Sequence, residues 1–141
     1  LELTAYDAQY RVPWIVFDRD KVKDFDEIIF EAESKGIKVG WSNPCFEIWL
    51  HAYLGSMPAV QDSWNCCAEF GRRYEKMIGQ KYLKADEKMY AKLYKAGNEE
   101  KALQIARQKL EQCIREGKTK PSEMCPCTTV YELVGEIKSK L

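Results

Sequence analysis

Two carboxylates stand at short spacing in this sequence: Asp18 and Asp20 follow the apolar run Val12-Pro13-Trp14-Ile15-Val16-Phe17. Side chains at alternate positions of a strand share a face, so both can meet one hard cation, Mg2+ or Mn2+. The plainer reading of the same D-x-D is a turn in which Asp20 or Asp24 caps a helix. A second group follows the run Ile37-Lys38-Val39-Gly40-Trp41, where Ser42 and Asn43 end a strand and Glu47 sits one turn into a helix. Asn43 has the form of an N-cap with Pro44 at the first helical position, and the free amides of such a start suit a phosphate. If the two strands are parallel, Ser42, Asn43 and Glu47 emerge beside the aspartates, at the edge where open α/β sheets bind ligands. His51, one turn after Glu47, can touch it and serve as acid or base, although a half-buried or helix-surface histidine is the simpler reading. Metal-bound carboxylates beside a phosphate-binding helix start form a working arrangement for phosphodiester chemistry.

A third group is basic. Arg72, Arg73, Lys76, Lys81, Lys84 and Lys88 interleave with Tyr74, Tyr82 and Tyr90, a mixture that can hold a nucleic-acid backbone and stack bases. The chain as a whole has net charge zero, but residues 1–71 carry 6 basic and 12 acidic side chains and residues 72–120 carry 14 and 7. That asymmetry suits a polyanion on the basic half and cations on the acidic half; solvated helix faces are the bland alternative. The six cysteines, Cys45, Cys66, Cys67, Cys113, Cys125 and Cys127, do not form two C-x-x-C pairs, and His51 is the single histidine. A zinc site or a disulfide framework is therefore not expected, and most thiols read as small buried hydrophobes of an intracellular, cytoplasmic protein.

The elements that must position these groups follow from periodicity. The first apolar run suits a strand covered on both faces, as in a parallel sheet. A capping box of Asp24 and Glu27 opens a helix through Phe25, Ile28, Ile29 and Ala32 that Gly36 ends. The second strand leads into a helix with Phe46, Trp49, Leu50 and Tyr53 on one stripe. This β–α–β–α order predicts two adjacent parallel strands. From residue 59 the pattern is helical: charged and amphipathic over 66–95, cleaner over 98–115, a loop from Lys118 to Thr128, and a last helix over 129–141. Trp14, Trp41, Trp49 and Trp64 read as core. At 141 residues the chain is one domain, drawn as a partial α/β core over 1–58 and a helical extension over 59–141. Two strands make a poor sheet, so strands on the N-terminal side are expected to be missing. No apolar run is long enough to span a membrane.

The segment Trp14-Ile15-Val16-Phe17-Asp18-Arg19-Asp20 and the longer one from Ile37 through Ser42-Asn43-Pro44-Cys45-Phe46-Glu47-Ile48-Trp49-Leu50 together resemble the RloB-like family. In that family a strand ends in F-D-x-D and a later strand runs into S-N-P-x-F-E-x-W-L. Pro126-Cys127-Thr128-Thr129-Val130-Tyr131-Glu132-Leu133-Val134 looks like its closing segment. The family is similar to TOPRIM domains, so the resemblance implies a TOPRIM-like parallel-sheet core with magnesium on Asp18 and Asp20. It also implies a setting among anti-phage defence, abortive-infection and restriction-associated genes, often beside a partner ATPase. TOPRIM proteins carry a further glutamate after an earlier strand. Only 17 residues precede Asp18, and Glu2 is a poor substitute, so the chain alone is expected to be inactive or nearly so.

Three functions are consistent with these residues. The leading one is a magnesium-dependent nuclease in which Asp18, Asp20 and Glu47 do the chemistry, Ser42, Asn43 and His51 border it, and Arg72, Arg73, Lys76, Lys81 and Lys84 hold DNA or RNA, a tRNA included. The alternative is a non-catalytic module that docks on a partner ATPase or on nucleic acid through the basic half; either reading is compatible with an oligomer. A regulatory nucleotide site at the Pro44 helix start is the weakest, because no glycine-rich loop accompanies it.

Overall fold

The computed structural model describes residues 12–141; Glu2 and the rest of residues 1–11 lie outside the described residues. Strand β1 (Trp14–Asp18) leads through a turn to helix α1 (Phe25–Ser34) and then to β2 (Lys38–Asn43). The two strands pair in parallel, with Trp14 opposite Lys38 and Asp18 opposite Ser42. Six helices alternate with or follow them: after α1 come α2 (Glu47–Tyr53), α3 (Ser63–Ile78), α4 (Met89–Ala96), α5 (Glu99–Arg115) and α6 (Val130–Ser139).

A third strand, β3 (Cys127–Thr128), falls inside the segment expected to be loop, and it pairs antiparallel with the end of β2. The architecture is therefore mixed α/β with a three-stranded sheet ordered β1-β2-β3, rather than purely parallel. Two residues are too few to show a period, so the pairing is fixed by contacts distant in sequence: Thr129 N–H donates to Trp41 O at 2.8 Å, and its hydroxyl to Val39 O at 2.9 Å.

Central β2 is buried at every position except Lys38. Its Val39 and Trp41 join Phe25, Ile29 and Ala32 of α1 with Cys113, Met124 and Cys127 in one core. Gly40 faces the other way, where a Cβ would come within 3.5 Å of Val130 at the start of α6. A second core gathers Trp49, Leu50 and Tyr53 of α2 with Phe70, Tyr74, Leu93, Ala102, Ala106 and Val130. Both cores draw on residues from either side of residue 58, because β3 and α6 return to the sheet.

Several local expectations need correction. Strand β1 is not covered on both faces: Ile15 and Val16 are 38% and 47% exposed. A continuous apolar run shows what a strand tolerates, not which neighbours it has, and β1 pairs only with β2 among the described residues. The capping box at Asp24 does not form, since Asp24 lacks the extended backbone a cap requires and makes no side-chain cap bond. Instead Asp26 accepts from the Ser122 amide at 2.8 Å and from its hydroxyl, tying α1 to the 3-10 turn Pro121–Glu123. Gly36 does end α1 in the left-handed region, at φ 79°. The amphipathic stretch over 66–95 divides into α3 and α4, because Gly79 (φ 80°) ends α3 with a bond back to Glu75 O. Trp64 is not core but 82% exposed. No helix among the described residues is long and apolar enough to cross a membrane.

Candidate functional site

Strand β1 ends at Asp18, whose carboxylate Oδ2 accepts the Phe46 amide at 3.2 Å. That amide lies at the start of α2, so Asp18 occupies the place the sequence assigned to a phosphate. The chain then leaves the sheet. Arg19 N–H donates to Ser42 O and Asp20 N–H to Pro44 O, and Asp20 takes a positive φ of 42°. Strand alternation therefore stops before Asp20, and the turn, not the pleat, sets where its carboxylate lies. Asp20 is exposed and lines an open cavity of about 810 Å³ with Lys21, Lys23, Asn43, Cys67 and Trp64.

Ser42 and Asn43 are buried and committed to neighbours. The Ser42 hydroxyl bonds that of Thr128 at 2.8 Å, and Asn43 Nδ2 donates to Pro121 O at 3.1 Å. They hold β3 and the 3-10 turn against the strand edge. Helix α2 begins at Glu47, three residues later than an Asn43 cap would start it.

Glu47 is 1% exposed. Its Oε2 accepts from the Tyr82 hydroxyl at 2.7 Å and pairs with Lys84 Nζ at 3.4 Å. Its Oε1 is buried with no hydrogen-bond partner among the described residues. Burial works to raise this carboxyl, but Tyr82, the helix amide and Lys84 outweigh it and hold it below the usual carboxylate range. Beside it the Cys45 and Cys67 sulfurs lie 3.8 Å apart. Cys45, Glu47 and Cys67 each offer a ligand atom, all within 4.8 Å of one another, which makes them a group that could hold a metal ion. Cys67 is half-buried, and burial together with the Glu47 charge pushes its thiol up to about 12.

His51 is wholly buried and does not bond Glu47. Arg73 Nη1 donates to its Nδ1 at 2.8 Å, which leaves Nε2 to carry the proton and donate to Cys66 O at 3.0 Å. Burial, then the Arg73 charge, lower its pKa below that of a free histidine. The ring thus joins α2 to α3 as a neutral tie. Arg73 also donates to Ser56 O and Leu54 O, each at 2.8 Å, so its guanidinium is engaged within the fold. Arg72 pairs with Glu69. Lys76 and Lys81 are exposed and make no ion pair among the described residues. Lys84, though paired with Glu47, has a side chain 74% exposed.

Sequence reasoning named four further residues without placing them at this site. Trp64 is an open indole at the cavity rim, and a tryptophan count carries no sign of which one faces solvent. Cys45 and Cys67 are 22 residues apart and meet only because α3 packs on α2. Tyr82 belongs to the loop between α3 and α4, where no periodicity applies.

These features define a small mixed α/β domain with carboxylates, thiols and lysines gathered at the carboxyl edge of its parallel strand pair. The chain belongs to the RloB-like protein family, whose model matches residues 2–137. No curated protein and no solved structure matches it.

Proposed function

We propose that this chain is a TOPRIM-like, magnesium-dependent domain of a protein that cleaves phosphodiester bonds in DNA or RNA, the chain alone being inactive or nearly so. It would work in the cytoplasm beside a partner ATPase in an anti-phage defence or restriction-associated system. The observation that supports the reading is that Asp18 ends β1 at the start of α2, where Lys84 pairs with Glu47, and that Asp20 follows on the wall of an open cavity. Asp18 and Asp20 offer carboxylate oxygens, the donors that magnesium takes, and neither is in an ion pair among the described residues, so they fit the cation. Magnesium bound there supplies charge neutralisation at the phosphate and a more acidic water.

The remaining roles belong to the chain itself. Asp18, fixed by the Phe46 amide, is the ordered ligand, and exposed Asp20 is the one that adjusts. Glu47 is sealed from solvent, so it supports the site by aiming Lys84, whose exposed ammonium can contact a backbone phosphate. Lys21 and Lys23 line the cavity and add positive charge there, and Trp64 at its rim offers a face for an unpaired base.

Calorimetric titration with Mg2+ and Mn2+, on the chain and on its Asp18→Ala, Asp20→Ala variant, tests the proposal. Binding by the parent and its loss in the variant are expected, with any cleavage of oligonucleotides following the same pattern. Salt-sensitive nucleic-acid binding that survives in the variant, with no metal binding by the parent, would instead make the chain a docking module.

A further inference from the structure

The thiols beside Glu47 have no part in the magnesium reading. We propose that Cys45, Cys67 and Glu47 form a site for one zinc ion, with three protein ligands and a fourth position open to water.

Three independent features support it. The sulfur–sulfur distance of 3.8 Å is far too long for a disulfide, and it matches the edge of a zinc tetrahedron, about 3.8 Å when each Zn–S bond is about 2.3 Å. One carboxylate oxygen of Glu47 lies with both sulfurs inside a 4.8 Å triangle, and its Oε1 is buried without a hydrogen-bond partner among the described residues. Orphaned buried acceptors are rare because each forfeits a solvated hydrogen bond, and a cation is the partner this one lacks. Finally, the other oxygen is already held: Tyr82 and Lys84 fix Oε2, the outer-shell arrangement that orients a metal-binding carboxylate.

Charge and access agree with this assignment. Two thiolates and one carboxylate carry three negative charges, which Zn2+ and the neighbouring Lys84 together offset. Two sulfurs select a thiophilic ion over magnesium. Half-buried Cys67 lines the open cavity that also holds Asp20, and this gives the ion an entry path and the fourth ligand its space. Loading exchanges one Zn2+ for two thiol protons, which pass to the buffer, so affinity must rise with pH.

The probe is Co2+, added to the whole chain after chelator treatment and kept under reductant, followed by displacement with Zn2+. A sulfur-to-cobalt charge-transfer band with tetrahedral visible absorption is expected, removed by stoichiometric zinc. Cys67→Ser should abolish most of the band, and Cys113→Ser, altering a thiol in the other core, should leave it. Tyr82→Phe should retain the band and weaken zinc binding about tenfold, since it removes only the carboxylate's outer support. No band in the parent, or an unchanged band in Cys67→Ser, overturns the site. Cys45 is buried, so Cys67→Ser and Tyr82→Phe carry the test if Cys45→Ser does not fold; circular dichroism checks each variant. The site stands apart from the magnesium reading: Asp18→Ala, Asp20→Ala should keep the cobalt band, and Cys67→Ser should keep the heat of magnesium binding.

Discussion

Two glutamates, Glu47 and Glu99, are almost equally buried, at 1% and 5% exposed, and both anchor tyrosines from other elements. At Glu99 every bond is made. Oε2 accepts from Tyr53 at 2.6 Å and Tyr90 at 2.8 Å, and Oε1 takes Lys138 at 3.1 Å, so one carboxylate at the start of α5 joins α2, α4 and α6. At Glu47 the bonds stop halfway, because Oε2 has Tyr82 and Lys84 while Oε1 has no hydrogen-bond partner among the described residues. In both cases burial works to raise the carboxyl and the surrounding donors hold it below its ordinary value. The same side chain at the same depth is thus a finished joint in one region and an unfinished one in the other. The zinc ion proposed above would complete the second arrangement.

The largest expected effect disturbs the finished joint without touching its carboxylate. Gly97 precedes α5, and a Cβ there would meet Tyr53 O at 2.2 Å, against backbone that cannot swing aside. Gly97→Ala should therefore cost about 3 kcal/mol by urea unfolding, the upper part of the usual range for overpacking. It should leave the cobalt band of the Cys45–Cys67 site intact. A variant as stable as the parent would show that α2 and α5 are not held together at this junction.

Next is the joint itself. Glu99→Gln keeps the volume but sets an amide N–H2 against either the Lys138 ammonium or the two tyrosine hydroxyls, leaving buried donors without acceptors. A loss of about 2 kcal/mol is expected, within the range for stranding a buried hydrogen-bonding group.

A third test concerns pH and uses the fact that His51 is the single histidine of the chain. Its folded pKa lies below the ordinary 6.5 because it is buried and faces Arg73. The unfolded chain therefore takes up a proton near pH 6.5 that the folded chain refuses, so stability is full above that value and falls as the pH drops below it. Between pH 6.5 and 5.5 the decline should approach about 1 kcal/mol, the scale set by one proton over one pH unit. Measured with chelator present, His51→Gln should flatten it. An unchanged slope in that variant would remove the neutral tie between α2 and α3 from the account.

How much of this was legible beforehand depended on the distance over which each feature is decided. Helices α5 and α6 are visible because Ala102, Leu103, Ala106 and Leu110, and then Val130, Leu133, Val134 and Ile137, repeat at helical spacing within one segment. The parallel pair β1–β2 is legible for the same reason, each strand being a contiguous apolar run with a helix between. What failed is non-local. Strand β3 exists because Thr128 and Thr129 reach β2 across more than eighty residues, and Cys127 and Thr128 alone have no strand signature. At the site, Asp18 and Glu47 were found through local motifs, but the partners that define Glu47 were not: Tyr82 and Lys84 arrive from a loop, and Cys67 from the next helix. Spacing rules for zinc sites search along the chain, whereas Cys45 and Cys67 meet across α2 and α3.

The smallest expected change separates the two glutamates. Glu47→Gln removes a buried charge whose one ion-pair partner among the described residues, Lys84, is 74% exposed, so the lost pairing is worth little in water. Its carbonyl can still accept from Tyr82, and its new N–H2 takes the place of the orphaned oxygen and can donate to a sulfur. The cost without metal should stay below about 1 kcal/mol, clearly less than for Glu99→Gln, because no satisfied bond is exchanged for an unsatisfied one. Zinc should reverse the ranking at this position: the parent gains stability on loading in proportion to its affinity, and the variant, with one ligand replaced by a weaker one, gains less. Equal costs for the two substitutions in chelator would mean that Oε1 already has a partner, and the contrast between the finished and the unfinished joint would disappear.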